Sequence, residues 1–164
     1  MTAAVVDVSP HHSVDWVLRA LPAAACAAVG RPDLSARFLG QQPVTARMLI
    51  PSPRVRRYQP TVRAAVFEIE DRLEVADEDR AVPGWEIDAL MYAEIGSAPC
   101  DLVHRVESTL IQHGGTHVAW WVWRLVRAAY LTDPSAVTVY VQRAYQQFCD
   151  DAVLNGFGRL EVQA

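Results

Sequence analysis

Apolar residues recur at helical spacing along most of the chain. Over residues 60–75, Val62, Val66, Ile69 and Leu73 fall on one face, the pattern of a helix with one side in a core. Trp85 to Ile95 continues in the same period, and Gly96 ends it. A further helix opens near Pro99 and runs to about His113, with Leu102, Val103, Val106 and Leu110 as its apolar stripe. On its other side Asp101 and Arg105 are spaced as an i, i+4 pair, worth roughly 0.3 kcal/mol. At the N-terminal end, Ser13 is placed to cap a helix from Val14. Pro22 is expected to kink or restart that helix, and the small residues of AAACAAV permit a close approach by a neighbour. Gly30 and Pro32 stop it, and Asp33 opens the short segment LSARFL, closed by Gly40. Asp133-Pro134 is a start signal for a last helix, which Asn155-Gly156 ends.

Residues 116–131 form the most apolar of these segments. On a helical wheel, Val118, Val122, Leu125, Val126 and Ala129 cluster, with Trp121 and Trp123 on the flanks. Thr116, which caps this helix, and His117, Arg124 and Arg127 fill the remaining stripe. A helix that is apolar over most of its circumference is the central one of a bundle. Trp120 falls in the polar stripe, one turn from Arg124. There an indole can stack under a guanidinium or face a ligand or a partner.

Between these helices, residues 41–60 hold four prolines and several arginines and keep no period, which marks an irregular connector with a short strand at VTARMLI. Residues 1–12 read as a flexible N-terminal arm, and RLEV near the C-terminus reads as a short strand. The expected fold is mainly α: a compact single-domain bundle of five to six helices over residues 13–164.

At 164 residues the chain is long enough to bury a core. Its formal charge of −4 argues against a surface given wholly to nucleic acid. All 15 basic residues are arginine, the composition of a GC-rich coding sequence. The three cysteines, Cys26, Cys100 and Cys149, are widely spaced without a CxxC, which argues against a disulfide scaffold or zinc knuckle and fits reduced cytosolic thiols. The start of the chain lacks the basic and apolar regions of a secretory leader, and no run reaches the roughly 18–20 apolar residues of a membrane span. A cytoplasmic location is expected.

Several constellations carry possible chemistry. His113 and His117 are spaced i, i+4, but Gly114-Gly115 between them breaks the helix that a shared metal would need. Asp101, His104 and Glu107 project together from one helix, yet a carboxylate-bridged metal pair needs a second D/E-x-x-H, which is missing. Asp151 lies inside the apolar arc of Val137, Tyr140, Val141, Ala144, Phe148 and Ala152; a buried carboxylate there needs a partner or a raised pKa, whereas the nearby helix end favours a solvated one. Arg54, Arg56, Arg57 and Arg63 surround Tyr58 and can contact phosphates, although the acidic run of residues 68–79 follows directly. Residues 22–39 fit a helix-turn-helix poorly. Cys100 sits at a helix start, where a thiol pKa can fall. No P-loop, G-x-G-x-x-G, G-x-S-x-G or H-E-x-x-H occurs.

The leading expectation is a non-enzymatic binding or assembly module acting through protein–protein contacts, its own copies included, since adjacent basic and acidic segments give the surface a charge dipole. One alternative is a small-molecule-binding or enzymatic bundle with a pocket lined by Trp120, Arg124, Arg127, His104, His117 and Asp151. The other is a nucleic-acid-binding regulator using Arg54, Arg56, Arg57 and Arg63. No cofactor, metal or membrane partner is expected.

Overall fold

The computed structural model describes residues 3–8, 10–43, 55–77, 84–112, 117–154 and 158–163. Helix α1 is a continuous run over 10–28, made of Pro10–Asp15, a π turn Trp16–Ala20 and Leu21–Ala28. The others are α2 (Pro32–Leu39), α3 (Tyr58–Asp77), α4 (Gly84–Ile95), α5 (Ser97–Gln112), α6 (Val118–Thr132) and α7 (Pro134–Leu154). The fold is mainly helical. Seven helices stand among the described residues, where five to six were expected. Each stop expected at a glycine divides two helices, so the short segment Pro32–Leu39 stands as a helix of its own. Gly30 (φ 74°) separates α2 from α1, and Gly96 (φ 100°) separates α5 from α4; each glycine holds a left-handed backbone that an L side chain rarely adopts.

The end of α1 is a Schellman motif: Arg31 N–H donates to Cys26 O at 3.0 Å and Gly30 N–H to Ala27 O at 3.1 Å. The Arg31 guanidinium then bonds both Asp33 oxygens, at 3.0 and 2.8 Å, and Glu68 Oε1 at 3.2 Å, joining α2 to α3.

Pro22 acts upstream of itself. It has no N–H for the Leu18 carbonyl, and its ring would clash there. The helix widens just before it, with Leu21 N–H donating to Trp16 O, a step of five residues. The expected kink is therefore absorbed as a π turn. Trp16 stands in that turn, buried, and its Nε1 donates to the Ala144 carbonyl of α7 at 3.1 Å. Its ring meets Tyr145 edge-on at 5.6 Å and Phe148 at 5.5 Å. Helix α1 starts at Pro10 rather than beyond a Ser13 cap, and Ser13 is fully buried within it.

Helix α6 is central: it contacts α1, α3, α4, α5 and α7. Val118, Val122, Leu125, Val126 and Ala129 are buried, as is Trp123, while Trp121 is half-buried against the core. The other stripes seat as their spacing predicts, with Val62, Val66 and Ile69 of α3 and Leu102, Val103, Val106 and Leu110 of α5 all buried. Asp133 caps α7, its Oδ1 accepting the Ala136 N–H at 3.2 Å. Val137, Val141, Phe148 and Ala152 of α7 are buried; Tyr140, at the edge of that arc, is exposed. His117, rather than Thr116, is the residue before α6, and it makes no side-chain cap bond. Thr116, His113 and the Gly-Gly pair lie outside the described residues.

The chain ends meet. Strand β1 (Ala3–Val8) pairs antiparallel with β2 (Gly158–Gln163), Ala3 opposite Gln163 and Val8 opposite Gly158. The RLEV strand is thus present, but the supposed arm 1–12 contains a strand and the first turns of α1. A two-stranded ribbon is marginal alone; this one packs on α7. The connector is described at its two ends, where Tyr58 Oη donates to the Gln42 carbonyl and a 3-10 turn, Val55–Arg57, leads into α3. The VTARMLI segment lies outside the described residues.

Three substitutions bear on these contacts. Trp16→Phe keeps an aromatic ring and removes the bond to Ala144; it should cost about 1 kcal/mol, whereas Trp16→Ala should cost about 3–5 kcal/mol. Gly96→Ala meets open space but a left-handed backbone, and should cost about 1–2 kcal/mol. Shifts in the urea midpoint at constant slope measure all three.

Candidate functional site

The polar stripe of α6 becomes the middle of an aromatic and charged face shared with α3. Arg124 is gripped at two points by Glu70 of α3: Nε to Oε1 at 2.6 Å and Nη2 to Oε2 at 2.8 Å. This hydrogen bonding, first among its influences, holds the guanidinium above its ordinary pKa despite partial burial. Arg127 makes the same two-point contact with Asp88 of α4, both bonds at 2.9 Å. The two arginines therefore tie the central helix to its neighbours on both sides.

Around Arg124 the rings gather. Its Cζ lies 5.0 Å from the Trp121 centroid and 5.8 Å from those of Trp120 and Phe67. Arg63 of α3 also stands over this cluster, 5.1 Å from the Trp121 ring centroid. Trp120 meets Trp121 edge-on at 5.1 Å, and Phe67 meets Trp121 edge-on at 5.8 Å. Each cation–ring contact contributes about 0.5–1 kcal/mol at such exposure. Trp120 and Phe67 are each 44% exposed, so an aromatic surface faces solvent. Beside it runs a shallow depression of about 420 Å³ bounded by Phe67, Glu70, Asp71, Arg124, Arg127 and Leu131. Its arginines are already neutralised by carboxylates, so the surface offers shape and rings more than free positive charge.

The remaining candidates lie elsewhere. His104 of α5 is exposed; its ring stacks on Tyr92 at 6.1 Å and 12°, hydrogen-bonds the Tyr92 hydroxyl, and covers Trp123 at 6.0 Å. It acts as a lid over a core tryptophan. His117 is exposed at the start of α6. Asp151 is half-buried rather than in the core. It accepts from Gln147 Nε2 at 2.9 Å and edges a second groove of about 360 Å³, floored by Trp16 and Phe148 and walled by alanines of α1. Trp120, Arg124 and Arg127 are thus brought together, while His104, His117 and Asp151 stand apart, and the six do not share one cavity. Of the arginine segment, Arg63 joins the aromatic face and Arg57 is exposed in the 3-10 turn; Arg54 and the side chain of Arg56 lie outside the described residues. Among the described residues no group of three or more His, Cys, Asp or Glu side chains is placed to hold a metal ion, and no helix is long and apolar enough to cross a membrane.

Sequence reasoning passed over Phe67 and Glu70. Phe67 had a signal, since it is a large apolar residue off the buried stripe of its own helix. Glu70 had none, because its partner lies 54 residues away. The comparisons with known proteins are silent: no family model, curated protein or solved structure matches the chain.

The cysteines are shielded. Burial pushes the Cys26 and Cys100 thiols up to about 12, and raises Cys149 as well. Cys100 does not gain the lowered pKa that a helix start can confer: burial raises it, and the nearby Asp101 and Asp88 carboxylates act in the same direction. Burial likewise pushes Tyr130 and Tyr145 up to about 12. A folded-state pKa above the unfolded value means that the native state keeps protons the unfolded chain releases. The resulting stability is fully present below about pH 9 and is lost as pH rises toward about 12. The urea midpoint should accordingly fall across that window. At about pH 8, native protein should leave Cys26 and Cys100 unmodified by iodoacetamide, with all three thiols reacting in denaturant; intact-mass spectra count the adducts.

Proposed function

We propose that this chain is a non-enzymatic binding or assembly module, one compact helical domain of the cytoplasm, that acts through protein–protein contacts on its α3–α6 face. The observation that carries this reading is the solvent-facing pair Trp120 and Phe67 set around a guanidinium already fixed by Glu70. Tryptophan and arginine are the side chains that dominate binding energy at protein interfaces. A side chain held in place before contact loses little rotamer freedom on binding. The fold gains little from exposing these rings, whereas a partner that covered them would remove apolar area from water at about 25 cal/mol per Å².

A second reading has one observation behind it. The groove over Trp16 and Phe148 has the size of a small-molecule site, about 360 Å³, with Asp151 at its edge. An apolar ligand seated there would quench or shift Trp16 fluorescence without touching Trp120.

The leading reading is tested by replacing Trp120 with a photo-crosslinking residue in the cells that express the protein. Protein adducts are expected at position 120 and absent when the same residue replaces Val139, which is exposed on α7; equal yields at both sites, or none at either, count against the reading. Trp120→Ala should cost about 1–2 kcal/mol of folding stability, the loss of one cation–ring and one edge-on ring contact, and leave the protein folded, yet weaken the captured contact by about 2 kcal/mol or more. Chemical denaturation measures the first quantity and titration calorimetry the second.

A further inference from the structure

We infer that the partner of the α3–α6 face is a second copy of this chain, docked with α3 antiparallel to its counterpart across a two-fold axis passing Phe67; the inference rests on the protein–protein reading above. The argument is the order of residues along the exposed ridge of α3. Arg63, Phe67 and Asp71 are spaced four apart and all exposed, with exposed Ala64 beside them. Such i±4n rows are the ridges by which helices pack. Phe67 is the midpoint of the row, with a cation one turn before it and a carboxylate one turn after.

A two-fold rotation about that midpoint reverses the helix. It sets Arg63 opposite Asp71 of the partner subunit and Asp71 opposite Arg63 of the partner subunit, with Phe67 against its own counterpart between the two pairs. Ala64 leaves room for the approach. A two-fold contact requires one patch to complement itself in this way, whereas an unrelated partner would need no such internal symmetry. The charges are available for the purpose. The described contact of Arg63 is the Trp121 ring, and Asp71 makes no ion pair among the described residues.

Helix α6 fits the same axis. It runs parallel to α3, since Trp121 lies beside Arg63 and Phe67 while Arg124 lies beside Phe67 and Glu70. The level of Phe67 therefore falls between Trp120 and Arg124. Reversal about it brings exposed Trp120 toward Arg124 of the partner subunit, a second ring–guanidinium contact across the interface. Head-to-tail pairing, the other use of a basic and an acidic segment, would leave one copy of each charge unmet at the ends.

The test is a charge swap read by sedimentation velocity on the full chain over a range of concentrations, with circular dichroism confirming that each variant is folded. Wild type is expected to be a dimer. R63D places carboxylate opposite carboxylate twice, and D71R places guanidinium opposite guanidinium twice. Each alone should weaken self-association by about 100-fold or more. Mixing the two variants makes both pairs attractive again, and a one-to-one heterodimer is expected; the double variant R63D/D71R should recover the homodimer and stands in if either single variant fails to fold. A monomeric wild type overturns the inference, and if Trp120 crosslinks to a different protein at the same time, the protein–protein reading survives without it. A wild-type dimer that both swaps leave intact overturns it by placing the contact elsewhere. Monomeric single variants that do not pair on mixing overturn the antiparallel register.

Discussion

Everything in this structure is arranged around a helix that is apolar over most of its circumference. Helix α6 buries Val118, Val122, Leu125, Val126 and Ala129 and is touched by five other helices, so its one polar stripe must be managed instead of simply hydrated. The management is electrostatic. Arg124 reaches to α3 and Arg127 to α4, each held by both oxygens of one carboxylate. Two-point ion pairs fix direction as well as distance, so the flanking helices are located by the same residues that keep the stripe polar. The aromatic face then follows from geometry. Rings next to a fixed guanidinium have a partner on one side, and Trp120 and Phe67 meet Arg124 while half-exposed to solvent.

The other half of the bundle answers to a local defect. Pro22 deprives the Leu18 carbonyl of its usual donor, and the widened turn that results moves Trp16 to where its indole meets a carbonyl of α7. A residue that would break an isolated helix here sets the spacing between the first and last long helices. The alanines that follow it in α1 allow the close approach, and the same small side chains leave the groove beside Trp16 open.

The stripes of α3, α5 and α6 and the cap at Asp133 were legible because each is local: period, capping residue and breaker all lie within one helix. The glycine breaks were legible as stops, but their brevity, one residue at Gly96, was not. Strand β1 was illegible because AAVVDV acquires a strand partner at the far end of the chain, and strand preference depends on the partner more than on the segment. The candidate site divided in the same way. Trp120 beside Arg124 is a one-turn relation and could be read; Glu70, Asp88 and the Phe67 contact are tertiary, and the sequence held no local trace of them. Asp151 is half-buried, because the apolar arc of its helix runs out near the helix end, a feature the sequence also displays.

The absence of lysine, a matter of coding bias at first sight, has a structural consequence here. Arg124 bonds a carboxylate with the edge of its guanidinium and meets three rings around its plane. A planar, delocalised cation can do both at once, because its donors lie in the plane and its faces are poorly hydrated. An ammonium at the same place would keep a point charge for Glu70 but lose the second bond and the stacking, and its stronger hydration would draw water onto the rings. Arg31, shared between Asp33 and Glu68, and Arg127 on Asp88 use the same forked geometry. A chain restricted to arginine can therefore build its inter-helix ties and its aromatic surface from the same side chains, and at Arg124 it does so.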